Sequence, residues 1–238
     1  MKKQVFDIIS LAPSNKRYFP AYMKKEDWMG EEYVKYTELE IPLGHSRYGG
    51  PVIDLPEGVQ VPQGMRFAAQ LDLSEISKYD VAGRLPKKGQ LIFFSDIMSD
   101  SGKVLYTTVA NENLCRNIIE HEDNFWEGVL IDKVWSDRES WNERFRKPED
   151  NWDKQYVNET GLLWDDFAGS EKSKIFGIFT HCQLEQTEIE QITNADKIVL
   201  LQIGENGFND EGVFSVLIAE KDLEKLNFEN CEFYWGQT

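Results

Sequence analysis

The chain has 238 residues and a mass of 27.6 kDa, enough to bury about 70% of its extended surface in a core that needs no disulfide or metal. Hydrophobic residues make up 41% and charged residues 29%, which excludes a disordered chain. The 26 basic and 42 acidic residues give a net charge of −16, which argues against nucleic acid as a partner, because phosphate binding needs clustered Lys and Arg.

Residues 1–32 read as partly helical. Met1-Lys2-Lys3 followed by Val5 to Leu11 faintly resembles a signal peptide, but Asp7 interrupts an apolar stretch that is already too short. No apolar run reaches the roughly 18 residues of a membrane span, so no membrane partner is expected. Cys115, Cys182 and Cys231 are odd in number and lack a CxxC, so neither a disulfide framework nor a zinc site is expected. A reducing, cytoplasmic location follows as the expectation.

Leu39, Ile41 and Leu43 alternate with Glu40 and Pro42, which suggests an exposed edge strand. A stretch dense in Gly and Pro follows, from His45 to Gly64. Phe67–Leu73 reads as a buried strand, and Ser74 as the N-cap of a short helix over Glu75 to Tyr79. Strands are expected at Gln90–Phe94, Val104–Val109 and Trp126–Trp135. Asp137 to Arg146 reads as a helix capped by Asp137. Residues 149–175 are irregular and charged. In the last third, Glu185–Ile192 and Asp222–Leu226 are expected as short helices. Ile198–Ile203, Val213–Ile218 and Cys231–Trp235 are expected as strands, with a polar turn over Gly204–Gly212. The fold class is α+β and β-rich, with short helices.

A weak internal repeat places Gln70 and Gln202 in matching apolar runs, Phe67-Ala68-Ala69-Gln70-Leu71 and Val199-Leu200-Leu201-Gln202-Ile203. A buried strand Gln must find hydrogen-bond partners. Either each Gln ties down a neighbouring loop, or the pair lines a ligand groove between two halves, with Asp72 beside Gln70.

Ser46-Arg47-Tyr48-Gly49-Gly50, Leu55-Pro56, Pro62, Ala69 to Ile76, Leu85-Pro86, Gly89 and Leu91 to Phe94 resemble the YwqG-like family of bacterial proteins. Lys174-Ile175-Phe176-Gly177 with Gln183, Leu200 to Ile203, Asp210-Glu211-Gly212, Asp222-Leu223 and Phe228 extend the resemblance. Phe176 and Phe179 depart from the family's middle motif, and Phe208-Asn209 from the pattern before its last hairpin. The resemblance implies a single domain over residues 1–238, roll-like, with mixed or antiparallel sheets. It further implies halves at about 33–110 and 174–238 and a variable middle segment at 111–173. It supplies no reaction. Some relatives resemble immunity or accessory components beside polymorphic toxins, which implies a basic, toxin-like protein partner.

The residues show no catalytic set. His45, His121 and His181 are the histidines, and no HExxH, Walker loop or GxGxxG occurs. His181 and Cys182 would diverge on a strand. Asp96, Asp100 and Gly102 lack the ligand spacing of a calcium loop. No cofactor is implied. Five of seven tryptophans fall between Trp126 and Trp164, where core or interface roles are favoured over sugar binding. Gly49-Gly50, next to Arg47, either let backbone approach a ligand closely or make a tight turn. Three functions remain: a binding module that captures a basic protein, with 149–175 as contact segment; a small-molecule sensor or enzyme using Gln70, Asp72 and Gln202; or a cytosolic accessory protein with no discrete site.

Overall fold

The computed structural model describes residues 5–19, 32–96, 99–208 and 212–237. The strands in chain order are β1 (Val5–Phe19), β2 (Glu32–Lys35), β3 (Arg47–Tyr48), β4 (Val52–Leu55), β5 (Arg66–Asp72), β6 (Gln90–Asp96), β7 (Ser101–Thr107) and β8 (Cys115–Ile118). They continue as β9 (Gly128–Ser140), β10 (Phe145–Arg146), β11 (Leu163–Trp164), β12 (Lys174–Ile175), β13 (Lys197–Ile203), β14 (Gly212–Ala219) and β15 (Glu232–Gln237). The short helices are α1 (Leu73–Ile76), α2 (Gln186–Thr193), α3 (Glu205–Phe208) and α4 (Glu220–Glu224).

One large sheet runs β15-β14-β13-β12-β1-β9-β3-β5-β6-β7, antiparallel throughout except where β2 joins β1 in parallel. Its middle is the long β1–β9 pair, in register from Val5↔Ser140 to Tyr18↔Gly128, with breaks around Pro13. A proline cannot donate to the ladder, so a bulge forms there and the strand bends. The two ends of the sheet approach each other: the Phe233 ring of β15 lies against Gly102 of β7, where any Cβ would overlap it. The sheet is therefore nearly a barrel.

The inner face holds the main core, with Ile9, Leu11, Tyr48, Leu71, Phe93 and Leu201 among its members. Trp126 stacks on Phe208 at 4.5 Å and on Trp235 at 4.9 Å, joining the two flanks of the sheet through aromatic surface. The outer face is covered twice. Over β5 and β6 lie β4, β8 and the preceding loop, packed through Ile53, Leu55 and Ile119 on Phe67 and Phe94. Over β1 and β13 lie α2 and the chain around Trp141, Ile178 and Phe179.

Several sequence expectations are corrected. The described part of 1–32 is the 15-residue strand β1, not helix. β1 pairs along both edges and is buried on both faces for much of its length, so its apolar residues run together instead of alternating. Residues 39–43 form no strand; the nearby strand is β2, followed by a 3-10 turn over Tyr36–Glu38. The helix expected over 137–146 is instead the end of β9 and a 3-10 turn at Trp141–Arg144. Asp137 and Arg138 stay extended because they pair with Ile8 and Asp7 of β1. Asp72, not Ser74, caps α1, and that helix begins at Leu73. The Gly204–Gly212 stretch contains α3 where a turn was expected; residues 209–211 lie outside the described residues. His181 and Cys182 stand in a turn, not on a strand.

Candidate functional site

Each flank of the sheet buries a charged cluster beneath its outer cover. On the first flank, Arg47 of β3 lies in register with Gln70 of β5, and both are fully buried. The Arg47 guanidinium donates to Gln70 Oε1 at 2.7 Å, Asp54 Oδ2 at 2.9 Å, and the carbonyls of Val52 and His45 at 3.0 and 2.7 Å. Arg116 of β8 closes on the same Asp54 through Nε at 2.9 Å and Nη2 at 3.1 Å. Burial pushes the Asp54 carboxyl up, but Arg116 and Arg47 outweigh it and hold it below its ordinary value. Gln70 uses its full capacity. Its oxygen also accepts from Asp54 N at 3.1 Å, and its amide donates to Asp54 O at 3.1 Å and Gln90 Oε1 at 3.2 Å. Gln70 thus locks the β4–β8 cover to the sheet.

On the second flank, Lys174 of β12 lies in register with Gln202 of β13. The Lys174 ammonium donates to Glu139 Oε1 at 2.6 Å, Glu139 Oε2 at 2.7 Å and the Ile178 carbonyl at 2.8 Å. Arg144 adds a second cation, 3.4 Å from Glu139 Oε2, and donates to Thr180 Oγ1 at 2.9 Å and to the Ala168 carbonyl. Gln202 donates to the carbonyls of Gly169 and Lys172 at 3.0 and 2.7 Å, tying down the 165–173 segment. Its oxygen has no protein donor among the described residues. Both clusters therefore follow one plan: a single buried carboxylate between two cations.

Gln70 and Gln202 do not meet. Strands β3, β9, β1 and β12 separate β5 from β13, a spacing of roughly 24 Å along the sheet. Asp72 is engaged at the N-terminus of α1, accepting from Ser74 N at 2.8 Å and from Asn111 Nδ2 at 2.7 Å. It also borders a separate pocket of about 180 Å³ with His45, Ser46, Glu75, Tyr79 and Asp132. Burial and the nearby Arg47 lower the His45 pKa. Gly49 and Gly50 both take positive φ, at +47° and +78°. A Cβ on Gly49 would strike the Trp126 and Glu127 carbonyls, and one on Gly50 the Tyr18 ring. The close approach at this loop is to the protein's own β1 and β9.

Other chemistry is sparse. Among the described residues no group of three or more His, Cys, Asp or Glu side chains is placed to hold a metal ion. His121 is exposed, and Cys182 is buried with its pKa raised by burial and by Glu205 and Asp166. The sequence reading missed Asp54, Glu139 and Arg144. Asp54 carried a signal, being the lone charge in Val52-Ile53-Asp54-Leu55. Glu139 was hidden by the helical reading of its strand.

The outer surface over the second flank carries large exposed rings. Trp152, Tyr156 and Phe167 are 65%, 57% and 48% exposed, all within the segment between β10 and β12. Beside Phe167 a cavity of about 280 Å³ opens between Glu143, Asp165 and Glu171, with Glu139 and Arg144 also lining it. Among the described residues no helix is long and apolar enough to cross a membrane.

No curated protein matches the chain. The model of one family, a domain of unknown function (DUF1963), matches residues 46–236. That span contains both charged clusters and both covers, so this chain belongs to the DUF1963 family.

Proposed function

We propose that this protein is a protein-binding module whose partner is basic. The observation that carries the reading is the display of Trp152, Tyr156 and Phe167 on one cover segment. Trp and Tyr supply most binding energy at interfaces when a partner desolvates them. The rings sit on a braced frame. Arg146 binds Asp153 at 2.7 Å, Trp152 contacts Tyr156 at 5.5 Å between ring centroids, and Asn158 accepts from Thr160 and Leu162 amides at 2.9 and 3.1 Å. A braced surface loses little freedom on binding. The net charge of −16 would steer a basic partner toward it. An immunity or accessory role toward a toxin-like protein in the cytoplasm is the form of this reading that the family resemblance suggests.

The test is affinity capture from the host lysate at low salt, with wild type beside Trp152→Ala/Tyr156→Ala. One basic protein in near-equal amount, released by salt and lost with the double variant, supports the reading. Capture that is unchanged in the double variant, or an empty capture, contradicts it.

A second reading, a small-molecule sensor or enzyme, is favoured by the Asp72 pocket with His45 and Asp132 in its wall. In that case a metabolite screen would raise the melting temperature of wild type and not of Asp132→Asn. A screen without any such hit would remove this reading.

We infer as well that the chain is one domain built of two related halves. On each flank a two-residue strand carries a buried cation, Arg47 or Lys174, opposite a buried Gln. On each flank the Gln stands just beyond a register break, at Phe67/Ala69 and at Val199/Leu201. Each short strand runs into two positive-φ residues, Gly49-Gly50 and Phe176-Gly177. Each Gln strand leads into a four-residue helix and then a hairpin, β6–β7 or β14–β15.

A further inference from the structure

We infer that the outer edge of β8, with the groove beside it, takes an extended, uncharged segment of a partner protein as an added strand. This contact uses residues other than Trp152 and Tyr156 and does not depend on the basic-partner reading. β4 and β8 form a two-stranded ribbon. The Ile119 amide donates to the Pro51 carbonyl at 2.7 Å, which makes Asn117↔Ile53 and Cys115↔Leu55 the hydrogen-bonded pairs of the ladder. Arg116 and Ile118 therefore turn their backbone N–H and C=O groups away from β4. Among the described residues these groups have no protein partner.

The opposite edge of the ribbon is closed. The Val52 carbonyl accepts from Arg47 Nε at 3.0 Å, and Gln70 bonds both the amide and the carbonyl of Asp54 at 3.1 Å. A side-chain amide thus stands where a further strand would pair. The β8 edge has no such cover, and all four of its residues are exposed. Charge does not guard it either. Edge strands are commonly protected by charged side chains. Arg116, the lone charge in Cys115–Ile118, is instead drawn back onto the buried Asp54 at 2.9 and 3.1 Å.

The groove beside this edge measures about 500 Å³, within the roughly 300–1,000 Å³ of binding sites. Leu55, Val59, Val61, Met65, Ile118 and Ile119 supply its apolar wall. None of its lining residues is charged, in a chain of which 29% is charged. The complement of such a wall is a neutral side chain, because a charged one would lose water there without gaining a counter-charge. Ile118, 41% exposed, belongs to both the edge and the groove. An extended peptide meets both: its main chain bonds to Arg116 and Ile118, and alternate side chains turn into the groove. Charge also selects a partner's segment over a second copy of this chain, since two copies at −16 each repel.

The probe is a phage-displayed library of random octapeptides, panned on the full wild-type chain. The most enriched peptide is then made with blocked ends and labelled for anisotropy. We expect it to alternate apolar residues, with no charge among them. Ile118→Pro removes an outward N–H without breaking a β4–β8 bond and should weaken binding at least about 10-fold. Ile118→Thr keeps the N–H, loses apolar contact and should weaken it about 3-fold; it carries the test if the proline variant does not fold. Methylating alternate amides of the peptide should weaken binding at least about 10-fold. A tenfold rise in salt, or Trp152→Ala/Tyr156→Ala, should each change it less than about 2-fold. No enriched peptide, a charge-rich one, or binding indifferent to Ile118→Thr overturns the site. Loss with Ile118→Thr but not with methylation marks groove binding alone and overturns the added strand. A wild-type dimer in sedimentation that Ile118→Pro dissociates makes a second copy the occupant and overturns the partner segment. Each of these leaves the basic-partner reading standing, because that reading is tested at Trp152 and Tyr156.

Discussion

The Lys174 ammonium rests against both oxygens of Glu139, at 2.6 and 2.7 Å, with both side chains buried. Arg144 shares the same carboxylate. One buried carboxylate thus balances two buried cations, and the three positions are not equally replaceable. Glu139→Gln leaves both cations without a counter-charge and is expected to cost about 3–5 kcal/mol. Lys174→Met leaves the Glu139–Arg144 pair and orphans only the Ile178 carbonyl, so about 1–3 kcal/mol is expected. Urea unfolding of the two variants checks the order. Equal losses would contradict the shared-carboxylate account.

The same cluster makes stability depend on pH. Burial brings the Lys174 ammonium down to about 8 from the ordinary 10.5, against the pull of Glu139. Between those values the unfolded chain binds a proton that the native chain does not, so stability rises with pH across that window. Glu139 behaves in the opposite range. Burial pushes its carboxyl up, yet Lys174 and Arg144 hold it below its ordinary value. Its contribution is complete above the ordinary carboxylate pKa and is lost as pH falls through the depressed one. The melting temperature of wild type minus that of Lys174→Met should widen from pH 8 to pH 10, about the Lys174 window. A constant difference would contradict it.

Gly50 and Gly58 separate steric from conformational demand. Both take positive φ, at +78° and +77°. A Cβ at Gly58 meets open space, whereas one at Gly50 would enter the Tyr18 ring. Gly58→Ala should cost only the left-handed penalty of about 1–2 kcal/mol. Gly50→Ala should cost clearly more, because Tyr18 is buried and must move. Thermal melts of the two variants make the comparison.

The family match begins at residue 46, yet β1 supplies the strand that joins the two flanks. Removing residues 1–19 would leave β9 and β12 with bare edges and open the core at Ile9 and Leu11. We expect the truncated chain to be insoluble or to lose its near-ultraviolet circular dichroism. A folded, monomeric 20–238 chain would show that the sheet can close without β1.

Much of the fold was legible where local pattern and tertiary demand agree. β5, β6, β13 and β14 read as strands because their apolar runs are short and end in Gly or polar turns. α2 was legible from its acidic start, where Glu185 and Glu188 form a reciprocal cap. β1 and the end of β9 were not, because residues such as Arg17 and Asp137-Arg138 are held extended by a partner strand more than a hundred residues away. For the candidate site, Arg47 and Gln70 were singled out, and so was Gln202. Asp54, which binds Arg47 and Gln70, was not, and neither was Glu139, which binds Lys174 and Arg144, since a charge cluster is made by register and not by sequence neighbours. The left-handed backbone at Phe176 was hidden for a related reason. A phenylalanine at φ +69° is visible only as backbone geometry.

The most direct measurement places a photo-crosslinking amino acid at position 152 in the full chain, expressed in its own host, with position 57 as the control. Both positions are exposed, so neither substitution burdens the core. A binding module for a basic protein predicts one cross-linked, lysine- and arginine-rich partner at 152, diminished at high salt, and none at 57. No cross-link at 152, or the same products from both positions, would contradict it.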